Sequence, residues 1–365
     1  MHESVTDDCA VAERLNESNW GERTIMQRKN IRALSAGLLA AGFLAALPAV
    51  AAAEPEIGTV VPDYVQVSAD AQPSITSITS VDDRLLLLQV ASPAMRREVP
   101  VNVILPADQS LPRGVLYLLD GNSGQVDSSN WLDRTRGNAE DFFADKNVNV
   151  VLPVGGTGTL FTDWAQDHPT FGRTQWETFL AKELPPLIDA ELDTNGRNVI
   201  GGISSGAQGA MMLAARNPEL YDGVAGYSGC YVTEGPGAPI LTDLIVMNGL
   251  ATSDMMWGPQ GSDAWREHDL FRNASALAGK KVYLSSGNGL PGPHESINQQ
   301  GIQDRVVVGG LLEAGSNLCT DQLAQALRDA GADVTRSAQP VGVHAWPYWQ
   351  DELRRSWPMI DETLR

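Results

Sequence analysis

Short apolar runs recur along the chain from residue 84 onward, bounded by Gly, Asp, Asn or Pro and partly β-branched. They read RLLLLQV (84–90), VPVNVIL (99–105), GVLYLL (114–119), VNVVLPV (148–154), NVIGGI (198–203), GVAGYS (223–228), KVYLSS (281–286) and DVTRSA (333–338). The first two suit an antiparallel hairpin. The later ones are separated by helix-length segments, and that alternation predicts an α/β fold with a mostly parallel sheet. Helical patterns are clearest over 176–192, 206–217 and 317–331, with Gly331 as a good residue just past the last helix. Pro185-Pro186 is expected to kink or interrupt the first. A closing segment, 347–364, carries aromatic and aliphatic positions that would pack back on the sheet.

The chemistry enters where the run NVIGGI meets the helix pattern after it. Gly202-Ile203-Ser204-Ser205-Gly206 is a G-x-S-x-G between a strand and a helix, the setting in which this pattern forms a nucleophile elbow. Ser204 is the serine in register, because Ser205 would need glycine at 203 and 207, which are Ile and Ala. A bare G-x-S-x-G is a weak signal; as a small-residue turn it carries no chemistry, and the strand-to-helix context separates the two readings. A serine hydroxyl needs a general base, and the chain has five histidines: His2, His168, His268, His294 and His344. His344 is the one between the last strand and the closing helix, where this architecture places its base. The base needs a carboxylate to fix its tautomer, and Glu295, Asp304 and Glu313 all follow strand 281–286. Oxyanion donors are expected from the backbone N–H of Ser205 and from the loop DGNSG after strand 114–119, at Asn122.

Composition narrows the setting. With 365 residues and 43% hydrophobic content the chain can bury one large core, and it shows no internal repeat or dividing linker. A formal charge of −19 argues against nucleic acid as a partner. From Met26 a basic stretch (Arg28, Lys29, Arg32) leads into an apolar run and then Ala51-Ala52-Ala53, which reads as an export signal cleaved after Ala53. Its apolar part, Ala33 to Leu47, stops at Pro48 and falls short of the ~20 residues of a membrane span. The polar residues 1–25 sit oddly ahead of such a signal, so translation from Met26 fits the pattern better. Residues 54–80 read as a lead-in and 81–365 as one catalytic domain. Beyond Cys9, the cysteines are Cys230 and Cys319, expected to pair in an exported protein. No CxxC or clustered His/Cys spacing suggests a metal site.

Taken together, LYLLDG (116–121), PVGG…DW (153–164), WETFLAKELP (176–185), the serine elbow, SDMMWGP (253–259), SSGNG (285–289) and HAWPYW (344–349) resemble the mycolyltransferases of mycobacteria and corynebacteria. Size and leader are most similar to the corynebacterial trehalose corynomycolyl transferases. The resemblance covers roughly 100–350 and implies an α/β-hydrolase fold that moves mycolic acids between trehalose and envelope acceptors without a cofactor. It implies Ser204 as nucleophile, His344 as base and Glu313 as acid, with Asn122 and Ser205 as oxyanion donors. It also implies Asp120 and Trp346 as trehalose contacts. Expected partners are trehalose mycolates and cell-wall arabinogalactan, met in the envelope after secretion. The chain departs from the family at Ser123, where an arginine often helps hold the sugar, and at Ala345, commonly serine. It also lacks the cysteine pair before WETFL. Two other classes share the sequence features: a secreted esterase with water as acceptor, and an envelope or matrix-binding protein built on a hydrolase scaffold.

Overall fold

Nine strands among the described residues lie in one sheet in the order β1-β2-β3-β5-β4-β6-β7-β8-β9. The computed structural model describes residues 64–235, 238–247 and 251–365, so the expected leader over 1–53 lies outside them. The strands are β1 (Ser74–Ser80), β2 (Leu85–Ser92), β3 (Arg97–Ile104), β4 (Val115–Leu119), β5 (Asn149–Pro153), β6 (Asn198–Ile203), β7 (Gly223–Tyr227), β8 (Lys281–Ser286) and β9 (Asp333–Ala338). β1, β2 and β3 form an antiparallel meander whose last strand meets β5 antiparallel. β5, β4, β6, β7, β8 and β9 run parallel.

The connections carry α1 (Ala139–Phe143), α2 (Leu184–Leu192), α3 (Ser205–Arg216), α4 (Ala238–Val246), α5 (Ser253–Trp257), α6 (Asp263–Glu267), α7 (Ile302–Asp329) and α8 (Trp346–Leu364). Alternate residues of each central strand enter different cores. Val115, Tyr117 and Leu119 of β4 join α2, α3 and the second half of α7, whereas Leu116 and Leu118 join α1 and α8. Because both faces are covered, these strands read in sequence as unbroken apolar runs rather than as alternations.

Two expectations change and a third is sharpened. The lead-in 54–80 contains a strand, β1, whose SITSITS pattern lacks a period of two. It bulges between Ile75 and Ser77 and lies exposed at the sheet edge. Pro185-Pro186 interrupts the α-helical pattern over 176–192 without ending the run. The turn Trp176–Thr178 widens into a π turn, Phe179–Glu183, in which the Leu184 N–H reaches Phe179 O, and the prolines follow at the start of α2. The helix expected from 317 begins at Ile302. VVVGGLL looks unlike helix, yet Gly310 stays in α7 because the loop after β8 crosses it there; a Cβ would lie 2.7 Å from Gly289 O.

The SDMMWGP stretch braces the fold. Met255 and Met256 carbonyls accept from Gln166 and Ala165 N–H at 3.0 and 2.9 Å, and Trp257 Nε1 donates to Thr162 Oγ1. Cys230, just past β7, and Cys319, on α7, form a disulfide across a sequence separation of 89. Beside it Thr320 Oγ1 donates to Gly229 O at 3.2 Å. Closing a loop of that length contributes about 4.6 kcal/mol in the chain-entropy account. The double variant Cys230→Ala/Cys319→Ala is therefore expected to lose stability of that order in denaturant titration. The native chain under reductant should move to the variant's midpoint; a midpoint shared by all three conditions would assign the cross-link no stabilising role.

Candidate active site

The parallel strands deliver their carboxyl ends to one edge of the sheet, and every candidate side chain lies on a segment leaving that edge. β6 ends at Ile203, α3 begins at Ser205, and Ser204 makes the turn between them at φ 53°, ψ −121°. Few non-glycine residues adopt that conformation, which costs of the order of 1–3 kcal/mol. It is held by the Ser204 N–H donating to Tyr227 O at 2.8 Å and by Ala207 N–H donating to Ser204 O at 3.1 Å. The flanking glycines are steric necessities. A Cβ at Gly202 would collide with Gly206 O, and one at Gly206 with Asp120 O.

Ser204 Oγ lies 2.9 Å from His344 Nε2, and His344 Nδ1 lies 2.8 Å from Glu313 Oε2. Glu313 is buried, at 1% exposure, on the inward face of α7. Its other oxygen accepts from Ser228 Oγ at 2.7 Å and from the Gly287 N–H at 2.6 Å. Trp349 Nε1 donates to Ser228 Oγ at 3.0 Å, and the Trp349 ring stands perpendicular to the His344 ring with centroids 5.0 Å apart. The His344 N–H donates to Gly309 O at 3.0 Å, which fixes the histidine loop directly to the helix that carries its carboxylate.

Of the three acidic candidates, Glu313 is the one at the histidine. Asp304 sits in the exposed first turn of α7, and Glu295 pairs with Arg305 at 3.0 Å and accepts from Tyr348 Oη. The remaining described histidines are engaged elsewhere. His268 meets Thr162 Oγ1 at 2.8 Å, His294 meets Asp351 at 2.8 Å, and His168 lies between Trp164 and Phe171.

The expected oxyanion donors flank the serine. A Cβ at Gly121 would reach 3.2 Å from Ser204 Cβ, so the loop after β4 packs directly on Ser204. Asn122 Oδ1 accepts from the Gly158 N–H at 2.9 Å and Thr157 Oγ1 donates to Gly124 O, which pins that loop to the one after β5. Ser205 opens α3, where first-turn N–H groups lack intrahelical partners and the helix dipole favours negative charge.

The two expected sugar contacts differ. Trp346 is half-buried at the start of α8, packed edge-on against Trp131 and Trp349 with centroids 5.2 and 5.3 Å away. Asp120 is closed from solvent at 1% exposure. Its Oδ2 accepts from the Asn130 N–H at 3.0 Å and from Ser129 Oγ at 3.3 Å, and burial pushes its pKa up to about 7 against those hydrogen bonds.

Sequence reasoning missed Ser228, Gly287 and Trp349, the groups that hold Glu313 and flank His344. A signal was present for one: Ser228 ends the run GVAGYS, and it adopts φ 54° as its N–H donates to Ser285 O at 2.8 Å. Among the described residues no cluster of His, Cys, Asp and Glu is placed to hold a metal, and no helix is long and apolar enough to cross a membrane.

Residues 92–359 match the family described as putative esterase. Diacylglycerol acyltransferase/mycolyltransferase Ag85A of Mycobacterium tuberculosis is 30% identical over 288 residues, covering 76% of this chain and 80% of that protein. The MPT51/MPB51 antigen of Mycobacterium bovis is 36% identical over 221 residues, 58% of this chain and 69% of the antigen. The crystal structure of M. tuberculosis MPT51 (FbpC1) superposes with a TM-score of 0.64 at 28% identity, covering 76% of this chain and 98% of that one. An S-formylglutathione hydrolase from Agrobacterium tumefaciens, at TM-score 0.55 and 17% identity, shares the fold. Sequence identity over three quarters of the chain and the same layered sheet agree, and the chain belongs to the mycolyltransferase family on an α/β-hydrolase fold.

Proposed function

We propose that the protein is an exported serine acyltransferase that moves mycolyl groups from trehalose monomycolate to a second trehalose monomycolate or to cell-wall arabinogalactan. The observation that carries the reading is the continuous relay from Ser204 through His344 to Glu313, at 2.9 and 2.8 Å. Kinship with the mycolyltransferase Ag85A supports the mycolyl group, and the sugar is the one that the motif resemblance implies. The relay alone would serve water equally well.

In this mechanism His344 Nε2 takes the Ser204 proton as Oγ attacks the ester carbonyl. The tetrahedral oxyanion is held by the N–H groups of Asn122 and Ser205. Glu313 steadies the imidazolium, which returns its proton to the departing trehalose oxygen and leaves the acyl on Ser204. An incoming sugar hydroxyl then gives its proton to His344 and attacks the acyl carbonyl, and His344 passes that proton back to Ser204 as the ester is released. Trp346 offers the sugar a rigid apolar face. Asp120 serves behind the surface, fastening Ser129 and Asn130, because its carboxyl is closed from solvent.

Ser204→Ala is expected to remain folded and to lose at least about 10⁴-fold in acyl transfer, and Glu313→Gln to lose about as much by leaving the imidazolium without its charged partner. Steady-state rates with a small activated ester check both. Full activity in Ser204→Ala, or a comparable loss in Glu295→Gln, would move the assignment.

Trehalose held beside the acyl-enzyme can reach an effective molarity of about 10⁵ M or more and so outrun water. Trp346→Ala should shift product from trehalose dimycolate toward free mycolic acid while leaving Ser204 acylation largely unchanged, as read by chromatography of lipids formed from trehalose monomycolate. If the native enzyme releases mainly free acid, it is an esterase; with no turnover and a folded relay, the binding-protein reading takes over.

Asp120 gives a pH test. Its carboxyl titrates near 7 folded and near ~3.9 unfolded, so between those values the folded state binds the extra proton and stability falls as pH rises. Across about pH 4 to 7 this amounts to at most about 4 kcal/mol. Asp120→Asn should flatten the decline in melting temperature over that window relative to the native chain. Parallel curves would assign the pH dependence to other groups.

A further inference from the structure

The helix that carries Glu313 has a second face. Val307, Leu311, Ala314 and Leu318 follow one another at helical spacing along the outside of α7, and the three larger ones are 60%, 52% and 42% exposed. The opposite face holds the buried Gly309, Gly310, Glu313, Ser316 and Thr320. Past Leu318 the same outer row turns polar, through Gln322, Gln325 and Asp329. The apolar stripe is thus confined to the half of the helix beside the catalytic histidine. Leu290 extends it toward that histidine. This residue is 59% exposed, it follows Gly289, whose backbone lies against Ala314, and its carbonyl accepts from the Gly342 N–H at 2.7 Å, two residues before His344.

We infer that this stripe is a docking surface for a neutral glycolipid layer, which holds the enzyme against the lipid whose acyl group it transfers. The inference rests on the reaction proposed above and adds to it a means of reaching an aggregated substrate. Two observations favour a lipid layer over a second copy of the chain. A stripe about 17 Å long and one helix wide presents roughly 170 Å², far below the ~800 Å² per partner of a stable protein interface. A few side chains entering an acyl boundary need no such area. Charge then selects the kind of lipid. The chain carries −19, the stripe has no basic residue on its row, and the exposed Asp304 flanks it, while Asp321 on the other side is paired with Arg336 at 2.8 Å. An anionic surface would meet no cation along this row, whereas uncharged sugar headgroups offer hydroxyls to Asp304.

The test uses vesicles of phosphatidylcholine containing trehalose monomycolate. The triple variant Val307→Gln/Leu311→Gln/Leu318→Gln should lose at least tenfold in vesicle binding by flotation and raise the apparent KM for vesicle-borne glycolipid by a similar factor. Its kcat/KM for a soluble short-chain ester should stay within twofold of native, because the altered side chains point away from Glu313. Ser204→Ala should bind the vesicles as the native chain does. If the native chain binds through the stripe but transfers no mycolate, the reaction fails and the docking surface stands. Native-level vesicle binding by the triple variant overturns the docking surface. So does equal loss on the soluble ester, which would make the stripe a support for Glu313. A native dimer that the triple variant abolishes in sedimentation would give the face to a second copy of the chain.

Discussion

The contact on which the site depends is the one between the first turn of α3 and the end of β4, where Gly206 passes so close to the Asp120 carbonyl that no side chain fits between them. That approach fixes the path of the backbone on both sides of Ser204. It forces the serine into a left-handed conformation, turns its hydroxyl out of the sheet edge, and brings Gly121 against its Cβ. The two segments expected to hold an oxyanion are therefore adjacent for a steric reason that precedes any chemistry. The strain at Ser204 is tolerable because α3 is buried along nearly its whole length, so the element that imposes the turn cannot relax outward.

A second close approach sets the other half of the relay. Gly289 and Gly310 let the loop after β8 lie on α7, and the Gly309 carbonyl then takes the His344 N–H. Glu313 sits one turn further along the same helix, with the Ser228 hydroxyl and the Gly287 N–H on its free oxygen. Ser228 precedes Cys230 and Glu313 precedes Cys319, so the disulfide fastens the segment that donates to the carboxylate to the helix that bears it. Histidine and acid are positioned by one rigid group of backbones rather than by two independent loops. A carboxylate on a helix can orient an imidazole only if that helix is fixed to the histidine's own loop.

Much of this was legible in the sequence, and the failures share a cause. The elbow, the histidine after the last strand and the parallel strand pattern are local signals, because each is enforced by neighbours a few residues away. β1 was missed since SITSITS makes its contacts at an exposed edge and buries little, which leaves no periodicity to read. The start of α7 was missed because Gly309 and Gly310 weaken the helix signal for a tertiary reason, the crossing loop. Glu313 could not be separated from Glu295 and Asp304 by position, as all three follow the same strand. Their difference lies in what surrounds them: Arg305 and Tyr348 at one, solvent at the next, and His344 with Ser228 at Glu313. Asp120, expected at the sugar, is closed from solvent with its carboxyl bonded to Ser129 and Asn130, a burial that composition does not encode.

The geometry also places the source of selectivity outside the relay. In the proposed reaction Ser204, His344 and Glu313 treat the departing and the arriving alcohol identically, since the proton that His344 would give to one is of the same kind as the proton it would take from the other. A reaction that is symmetrical about the acyl-enzyme gains direction only from what is held beside it. Water needs no holding, so a transferase must bind its acceptor well enough to overcome water's concentration. In this molecule the features suited to that task are tied to the histidine loop, one along the chain and the others through backbone hydrogen bonds from Gly342 and His344 to Leu290 and Gly309. Trp346, braced by two other tryptophans, begins α8 two residues after His344, and the exposed leucines of α7 and Leu290 begin on its other side. The aromatic face of Trp346 and the apolar stripe thus both adjoin the His344 loop, an arrangement suited to the proposed substrate, a sugar joined to a long acyl chain.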